Sequence, residues 1–389
     1  MSEIKTTAAP ADSTITTADT NVTATAKKPL IPENVSKRIT ALRFLLILFV
    51  VFAHNNKTYL FMLDTENFSL ASKIFFTHIP QILNYTFFGQ AAVPLFFLFS
   101  AYLLARKSDP YALMLKKKTK ALLTPYLLWP ATTIGLMILA KFALILVFPE
   151  KVSHTLPYIS EWTPEDWICA FVGKYPKHYN NGLFEPYVGP FYYLRDLLIM
   201  NLISPVLIRG IKKCGISFFL LIFGLFLYAP AFLIGYSGLL YYSLGLYFGL
   251  KNIDFFELAD RAKWKFLIPA IVITWILTVN RTAAPTAFLV ISACIFMLKF
   301  SKLIADNQKL FKISQYLAGF SFFLYAVHEP KFLNFIVKLW YKFIPDQNAV
   351  FDTLEYLIVG TATCAIGTLI GIALKKAVPK IFYLYNGGR

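Results

Sequence analysis

Residues 214–250 read CGISFFLLIFGLFLYAPAFLIGYSGLLYYSLGLYFGL, a run of 37 residues without a charged side chain. A transmembrane helix needs about 20 mostly apolar residues, so this run is too long for one helix. Pro230 and Gly235 lie near its middle, and this pair is typical of a tight turn. The stretch therefore predicts two short membrane helices joined by a turn.

The composition of the whole chain points the same way. Of its 389 residues 57% are hydrophobic and 15% are charged, and the mean hydropathy is +0.57. Soluble domains contain roughly 45–50% apolar and about 25% charged residues. These values exclude a soluble enzyme, a disordered protein and a nucleic-acid-binding protein, although the net charge is +17.

Eight further apolar segments are long enough to extend this prediction across the chain. We predict an all-α polytopic membrane protein of about ten transmembrane helices. The predicted spans are 39–60, 86–105, 121–147, 187–208, 215–231, 234–250, 264–280, 283–299, 313–333 and 354–374.

The positions of the basic residues predict the orientation. With the N-terminus in the cytoplasm, the inner segments hold 27 Lys and Arg residues and the outer segments hold 9. Cytoplasmic loops of membrane proteins carry an excess of basic residues. The asymmetry therefore predicts that both termini are cytoplasmic.

The two ends of the apolar region set the expected domains. Residues 1–36 are rich in Ala and Thr and predict a disordered cytoplasmic tail, which lacks the apolar core of a signal peptide. Residues 37–389 are expected to form a single membrane domain. The four cysteines have no CxxC spacing, and three of them lie in or beside apolar segments, so we expect neither a disulfide framework nor a zinc site. No bound cofactor is expected either.

The first span carries two polar residues on one face. Arg43 precedes His54 by eleven residues, close to three helical turns and about 16 Å along the axis. Polar groups inside a bilayer are costly and often functional. The plainer alternative is an arginine anchor and a histidine at the wetted end of the helix.

The ninth span contains SFFLYAVHEP, residues 321–330. Ser321, Tyr325 and His328 are spaced to share one helix face, and Glu329 follows. Such a stripe is expected to line the bundle interior or a water-filled cavity. A hydrogen-bond network that only joins helices would have the same pattern.

Two charged groups complete the candidates. Arg195 and Asp196 lie within the fourth span, where adjacent residues point apart, so we expect their partners on other helices. Their role is structural or substrate-binding. Basic residues also cluster at the start of the third span, and they suit anionic lipid headgroups or the phosphates of a coenzyme. This cluster comprises Lys116, Lys117, Lys118 and Lys120 with Arg106 and Lys107.

These stretches together resemble the membrane-bound acyltransferase family 3. Arg43 and His54 match its R-x10-H pattern, and VPLFFLFSAYLL (93–104) resembles its FF-x-x-SG stretch, with Ala101 in place of the usual Gly. KALLTPYLLW (120–129), FYYLRDLLIMNLISP (191–205) and SFFLYAVHEP resemble three further family stretches. The matches run from residue 38 to about 335, in the family's order.

The resemblance implies an integral enzyme that takes an acyl group, usually acetyl, from cytoplasmic acyl-CoA. The acceptor would be a hydroxyl of a surface glycan, a lipid-linked glycan or a glycolipid at a bacterial inner membrane. His54 would be the catalytic base, although an acylated His54 stays possible, and Arg43 would assist. The expected phosphate ligands are Arg43, Lys117, Lys118 and Lys120, and the expected acceptor-binding residues are His328, Glu329, Tyr325, Ser321, Arg195 and Asp196.

The alternative function is a multi-span transporter or flippase of a glycan or a small polar solute, because intramembrane Arg, Asp and His also occur in carriers. A non-catalytic relative that serves as a subunit is a third possibility, although the intact pair of Arg43 and His54 disfavours it.

Overall fold

The computed structural model describes residues 31–55, 79–107, 109–147, 162–173, 187–228, 236–278, 283–344 and 349–388. Within these ranges the chain is helical and contains no β-strand. The predicted tail, residues 1–36, lies mostly outside the described residues. Its last residues are helical, because the first helix begins at Glu33.

The helices are named in chain order. They are α1 (Glu33–His54), α2 (Ile79–Leu83), α3 (Gly89–Ala105), α4 (Tyr111–Val147), α5 (Pro164–Val172), α6 (Tyr192–Cys214), α7 (Ile216–Tyr228), α8 (Tyr236–Leu250), α9 (Phe255–Arg261), α10 (Trp264–Thr278), α11 (Ala283–Asp306), α12 (Gln308–Ala318), α13 (Ser321–Val327), α14 (Leu333–Phe343), α15 (Ala349–Ala377) and α16 (Pro379–Tyr385). Two π-helical turns, Asn84–Phe88 and His328–Phe332, join α2 to α3 and α13 to α14.

The apolar helices make this an integral membrane protein. Five helical stretches are long and apolar enough to cross a bilayer, namely α2–α3, α4, the stretch ending in α6, α11 and α15, and the bent pair α12–α13 would be a sixth. Helices α7, α8 and α10 are apolar but shorter. Each of the ten predicted spans overlaps a helix, whereas the number ten and the side on which the termini lie stay predictions.

Helix α1 is the centre of the bundle. It packs against α3, α11, α12, α13 and α15. Its buried face includes Leu42, Leu46 and Val50, which recur every four residues as expected for a helix face turned to a core. Helix α1 ends at His54 with Asn55 as its C-cap, and the last part of the first predicted span, residues 56–60, lies outside the described residues.

Small residues allow the tight packing of α8 against α3. A Cβ atom at Gly245 would lie 2.3 Å from the Leu98 carbonyl oxygen, and one at Gly249 would lie 2.6 Å from Cβ of Ala105. This spacing of two glycines is common where membrane helices approach closely. Ala101 lies in the same contact, so the departure from the family's usual glycine leaves the close approach intact.

The ninth predicted span, 313–333, is broken rather than continuous. Helix α12 ends at Ala318, and α13 continues at an angle of 50°. A second break follows at Glu329, whose backbone is extended (φ −120°, ψ 152°). A residue before a proline avoids the helical conformation, which explains a break at Glu329 just before Pro330.

Candidate functional site

His54 is the last residue of α1, and its imidazole is 40% exposed. Two side chains from the break after α13 approach it. The ring of His328 lies edge-on to that of His54, with 5.2 Å between the centroids, and Oε1 of Glu329 lies 3.9 Å from Nδ1 of His54. The sequence places these residues in separate patterns more than 270 residues apart, and the fold brings them together.

The break at Glu329 is what creates this arrangement. In an unbroken helix residues 328 and 329 would point about 100° apart, because there are 3.6 residues per turn. The π-helical turn and the extended backbone of Glu329 let both side chains reach His54. Single-turn π-helical insertions are frequent at functional sites.

His328 is fully buried and has a defined hydrogen-bonding state. Its Nδ1 lies 2.7 Å from the carbonyl oxygen of Tyr325 and 3.3 Å from that of Leu324. Carbonyl oxygens only accept hydrogen bonds, so this nitrogen carries the proton and Nε2 is an acceptor. Nε2 is buried and has no hydrogen-bond partner within the described residues.

Tyr325 and Ser321 use their hydroxyl groups in local packing. Tyr325 donates a hydrogen bond to the carbonyl of Pro190, and its ring stacks on Phe191 with 5.7 Å between centroids. The Ser321 hydroxyl donates to the carbonyl of Ala318 (2.9 Å), which supports the bend between α12 and α13. Tyr325 thereby supports the turn that carries His328, while Ser321 supports the start of α13.

Arg43 lies on α1 and is exposed as a residue. It makes no hydrogen bond or ion pair with the residues that the structure describes. It is close enough to Tyr193 of α6 for an electrostatic interaction, and the Tyr193 ring lies 6.3 Å from that of Tyr325. Because Tyr325 neighbours His328, a column of aromatic side chains connects Arg43 with His54.

Arg195 and Asp196 correct one prediction. They were expected to find partners on other helices, but Arg195 Nε donates to Oδ1 of its neighbour Asp196 at 3.0 Å. The long arginine side chain curls back, so two adjacent residues pair although they leave the helix in different directions. A second nitrogen, Nη1, donates to the carbonyl of Val172 in α5 (2.8 Å), which is a contact with another helix as expected.

The predicted phosphate ligands at the start of α4 lie on an accessible surface. Lys117 pairs with Asp109 at 3.0 Å and keeps 58% of its side chain exposed. Lys120 is exposed and Lys118 is partly buried. Lys117 and Lys120 are accessible to an anionic ligand, and no contact between these lysines and His54 occurs within the described residues.

Arg38 is an important residue that the sequence analysis did not single out. It is 2% exposed and binds both carboxylate oxygens of Asp260, at 2.7 and 2.9 Å. It also donates to Ser301 Oγ (2.8 Å) and to the carbonyl of Leu298 (2.6 Å), and it lies over the ring of Phe256. No sequence signal links Arg38 with Asp260, which is 222 positions away.

Comparison with known proteins supports the resemblance. The model of the family described as "Acyltransferase domain", acyltransferase family 3, matches residues 36–374. No curated protein and no solved structure matches the chain.

Proposed function

The chain belongs to acyltransferase family 3, and from this premise we propose that it is an integral membrane O-acyltransferase. In this proposal it moves an acyl group, acetyl in the first instance, from cytoplasmic acyl-CoA to a hydroxyl of a surface polysaccharide, oligosaccharide or glycolipid. The membrane would be the inner membrane of a bacterium. The observation that carries the proposal is the meeting of His54, Glu329 and His328 at the end of the helix that also bears Arg43.

The reaction needs a base, because a hydroxyl group is a weak nucleophile until its proton is removed. The Glu329 carboxylate favours a proton on Nδ1 of His54, which leaves Nε2 as the base. His54 would take the acceptor's proton while the acceptor oxygen attacks the thioester carbon. The carbon–sulfur bond then breaks, and His54 returns the proton to the leaving thiolate, which yields an ester and free CoA.

The separation of 3.9 Å between His54 and Glu329 is longer than a hydrogen bond. Catalytic hydrogen bonds are often long without substrate and shorten in the reactive complex. A carboxylate in this place would fix the ring's orientation and stabilise the imidazolium that forms during the reaction. Glu329 thus acts through His54 as a positioning residue.

The donor would bind through its phosphates. Arg43 makes no hydrogen bond or ion pair within the described residues, and a guanidinium group can bind a phosphate with two parallel hydrogen bonds. Lys117, Lys118 and Lys120 would attract the same anion at the start of α4. The aromatic side chains between Arg43 and His54 would then lie beside the flexible arm of acyl-CoA, whose end carries the thioester.

The remaining predicted ligands divide by their contacts. His328 offers an acceptor nitrogen next to His54 and would bind the acceptor's hydroxyl group. Tyr325, Ser321, Arg195 and Asp196 would support the substrate site indirectly, through their contacts to neighbouring backbone and to each other.

A transporter or flippase is the second candidate. Helices broken within the membrane region often form transport sites, and the breaks at residues 319 and 329 favour this function. Mass spectrometry of surface glycans from cells with and without the gene separates the two. We expect a glycan heavier by one acetyl unit only when the protein is present. Unmodified glycan whose surface amount depends on the protein would instead favour transport.

A further inference from the structure

The junction between α9 and α10 carries an open cavity that the proposed acyl transfer does not use. Its volume is about 410 Å³, and its lining residues are Arg261, Ala262, Lys263, Phe266 and Leu267. Sites for small molecules commonly have volumes of about 300–1,000 Å³. We call it the α9–α10 cavity, and it is large enough for a lipid headgroup.

The rim of this cavity is basic. Lys263 is exposed, and its ammonium group makes no hydrogen bond or ion pair within the described residues. Arg261 pairs with Glu257 at 2.8 Å, but the two side chains are 70% and 65% exposed, and exposed ion pairs are weak. Nζ of Lys265 lies 5.1 Å from the ring centroid of Phe266, which lines the cavity. Three cations against one carboxylate favour a ligand with a negative charge.

The other charged groups beside the junction increase this surplus. Arg38 binds both carboxylate oxygens of Asp260, so the charge of this aspartate is already compensated. Lys299 of α11 donates to the backbone carbonyl of Asp260 (2.9 Å), and its Nζ lies 5.1 Å from the ring centroid of Trp264. Lys299 therefore adds a fourth positive charge next to the cavity.

An apolar stripe leads away from the cavity along α10. Phe266, Pro269, Ala270 and Ile273 are exposed, and their spacing of three or four residues places them on one face of the helix. The stripe is about 10 Å long, at 1.5 Å per residue. A soluble anion makes no use of such a stripe, whereas an acyl chain packs along it.

We propose that the α9–α10 cavity binds the phosphate of an anionic phospholipid, with an acyl chain along the apolar stripe. Arg261 and Lys263 bind the phosphate oxygens, and Arg261 gives up its exposed pair with Glu257 for them. A zwitterionic headgroup brings its own cation, which the basic rim repels. Basic pockets between membrane helices on the cytoplasmic side typically bind anionic headgroups, and residues 251–265 lie in a segment that is predicted to be cytoplasmic. The inference does not depend on the proposed acyl transfer.

The position of the cavity gives the bound lipid an effect on stability. Asp260, the neighbour of Arg261, anchors α1 through its ion pair with Arg38. A lipid that contacts both α9 and α10 holds α9 in place and so supports this anchor. A ligand that binds only the folded state raises the unfolding temperature.

Two matched double variants of the full-length, detergent-solubilised protein test this assignment. The cavity variant, Arg261→Gln with Lys263→Gln, removes two positive charges from the rim. The control variant, Lys212→Gln with Lys213→Gln at the end of α6, removes two exposed positive charges that do not line the cavity. All four side chains are exposed, so both variants should keep the wild-type unfolding midpoint without added lipid.

The measured quantity is the unfolding midpoint as phosphatidylglycerol is added to the detergent micelles. We expect the cavity variant to need about 25-fold more phosphatidylglycerol than the wild type for half of the rise, because each cation contributes about fivefold. The control variant should match the wild type. Phosphatidylcholine should give a smaller rise, and an equal rise would contradict the preference for an anionic headgroup.

Four other results would overturn the assignment. Equal half-effect concentrations in the wild type and the cavity variant would exclude the cavity as the lipid site. An equal loss in the control variant would assign the effect to diffuse surface charge. An equal rise with glycerol phosphate, which has no acyl chains, would exclude a role of the apolar stripe. The rise that acetyl-CoA causes should be unchanged in the cavity variant, and its loss would place the cavity in coenzyme binding.

Discussion

Charged and titratable side chains have opposite environments in the two parts of α1. Near its start, Arg38 is buried and fully engaged by Asp260, Ser301 and a backbone carbonyl. Five residues later Arg43 has no hydrogen bond or ion pair within the described residues, and at the far end His54 keeps 40% of its side chain exposed. The same helix thus supplies a structural anchor in its first turns and a face open to ligands beyond them.

This contrast separates two uses of arginine in a membrane protein. A buried arginine with a bidentate carboxylate partner joins α1 to α9 and α11, because Asp260 and Ser301 belong to those helices. An arginine without a partner keeps its hydrogen-bonding capacity for an anion. Substitutions at the two positions should therefore affect different properties.

The largest stability effect is expected for Arg38→Ala. Removing one partner of a buried ion pair costs about 3–5 kcal/mol, and the lower end applies because Asp260 is 25% exposed. Thermal unfolding of the detergent-solubilised protein measures the loss. Arg43→Ala is the matched control, because it is the same change on the same helix. An equal drop in the unfolding temperature of both variants would contradict the distinction between a structural Arg38 and a ligand-binding Arg43.

Glu329→Gln is expected to slow acyl transfer by about 10-fold to 100-fold, the value of a hydrogen bond to a charged group. The amide keeps the size of the side chain but cannot stabilise the imidazolium of His54. Initial rates with saturating acetyl-CoA measure the effect. Wild-type rates in a folded variant would show that the carboxylate next to His54 has no part in catalysis.

Arg43→Ala is expected to raise KM for acetyl-CoA about tenfold and to leave KM for the acceptor unchanged, because a charged phosphate contact is lost. Its unfolding midpoint should stay close to the wild type, unlike that of Arg38→Ala. An unchanged dependence on acetyl-CoA would contradict the phosphate-binding role.

The smallest effect is expected for Lys117→Ala, at most about threefold in KM for acetyl-CoA, because exposed ion pairs contribute little. High salt should erase the difference between variant and wild type. A tenfold effect that persists in high salt would place Lys117 in a specific phosphate site rather than on an attracting surface.

Hydropathy and helix periodicity predicted the positions of the apolar helices and of the polar face of α1. Hydropathy placed a predicted span on each helix that is long and apolar enough to cross a bilayer, whereas the short helices α2, α5, α9 and α16 lie outside the predicted spans. The spacing of Arg43 and His54 singled out the face of α1 on which the proposal rests. The break at Glu329 also has a local cause, the proline that follows it, whereas the apolar pattern predicts one continuous span there. A continuous span does not bring His328 and Glu329 to His54, so the meeting of these three residues was not predicted.

Long-range pairing could not be predicted from a single sequence. Arg38 and Asp260 look like ordinary charges at membrane ends, and only the packing of α1 on α9 and α11 pairs them. Arg195 illustrates a short-range failure of prediction. Its flexible side chain bonds the adjacent Asp196, although adjacent residues on a helix point apart.

Acyl transfer by His54→Ala tests the central claim most directly. The purified wild type and the variant would be placed in proteoliposomes with radiolabelled acetyl-CoA and glycolipid extracted from the source cells. We predict that the variant keeps the wild-type unfolding midpoint and acetyl-CoA affinity but transfers label at least about 100-fold more slowly, as the loss of a general base requires. Transfer at the wild-type rate would contradict the assignment of His54 as the catalytic base.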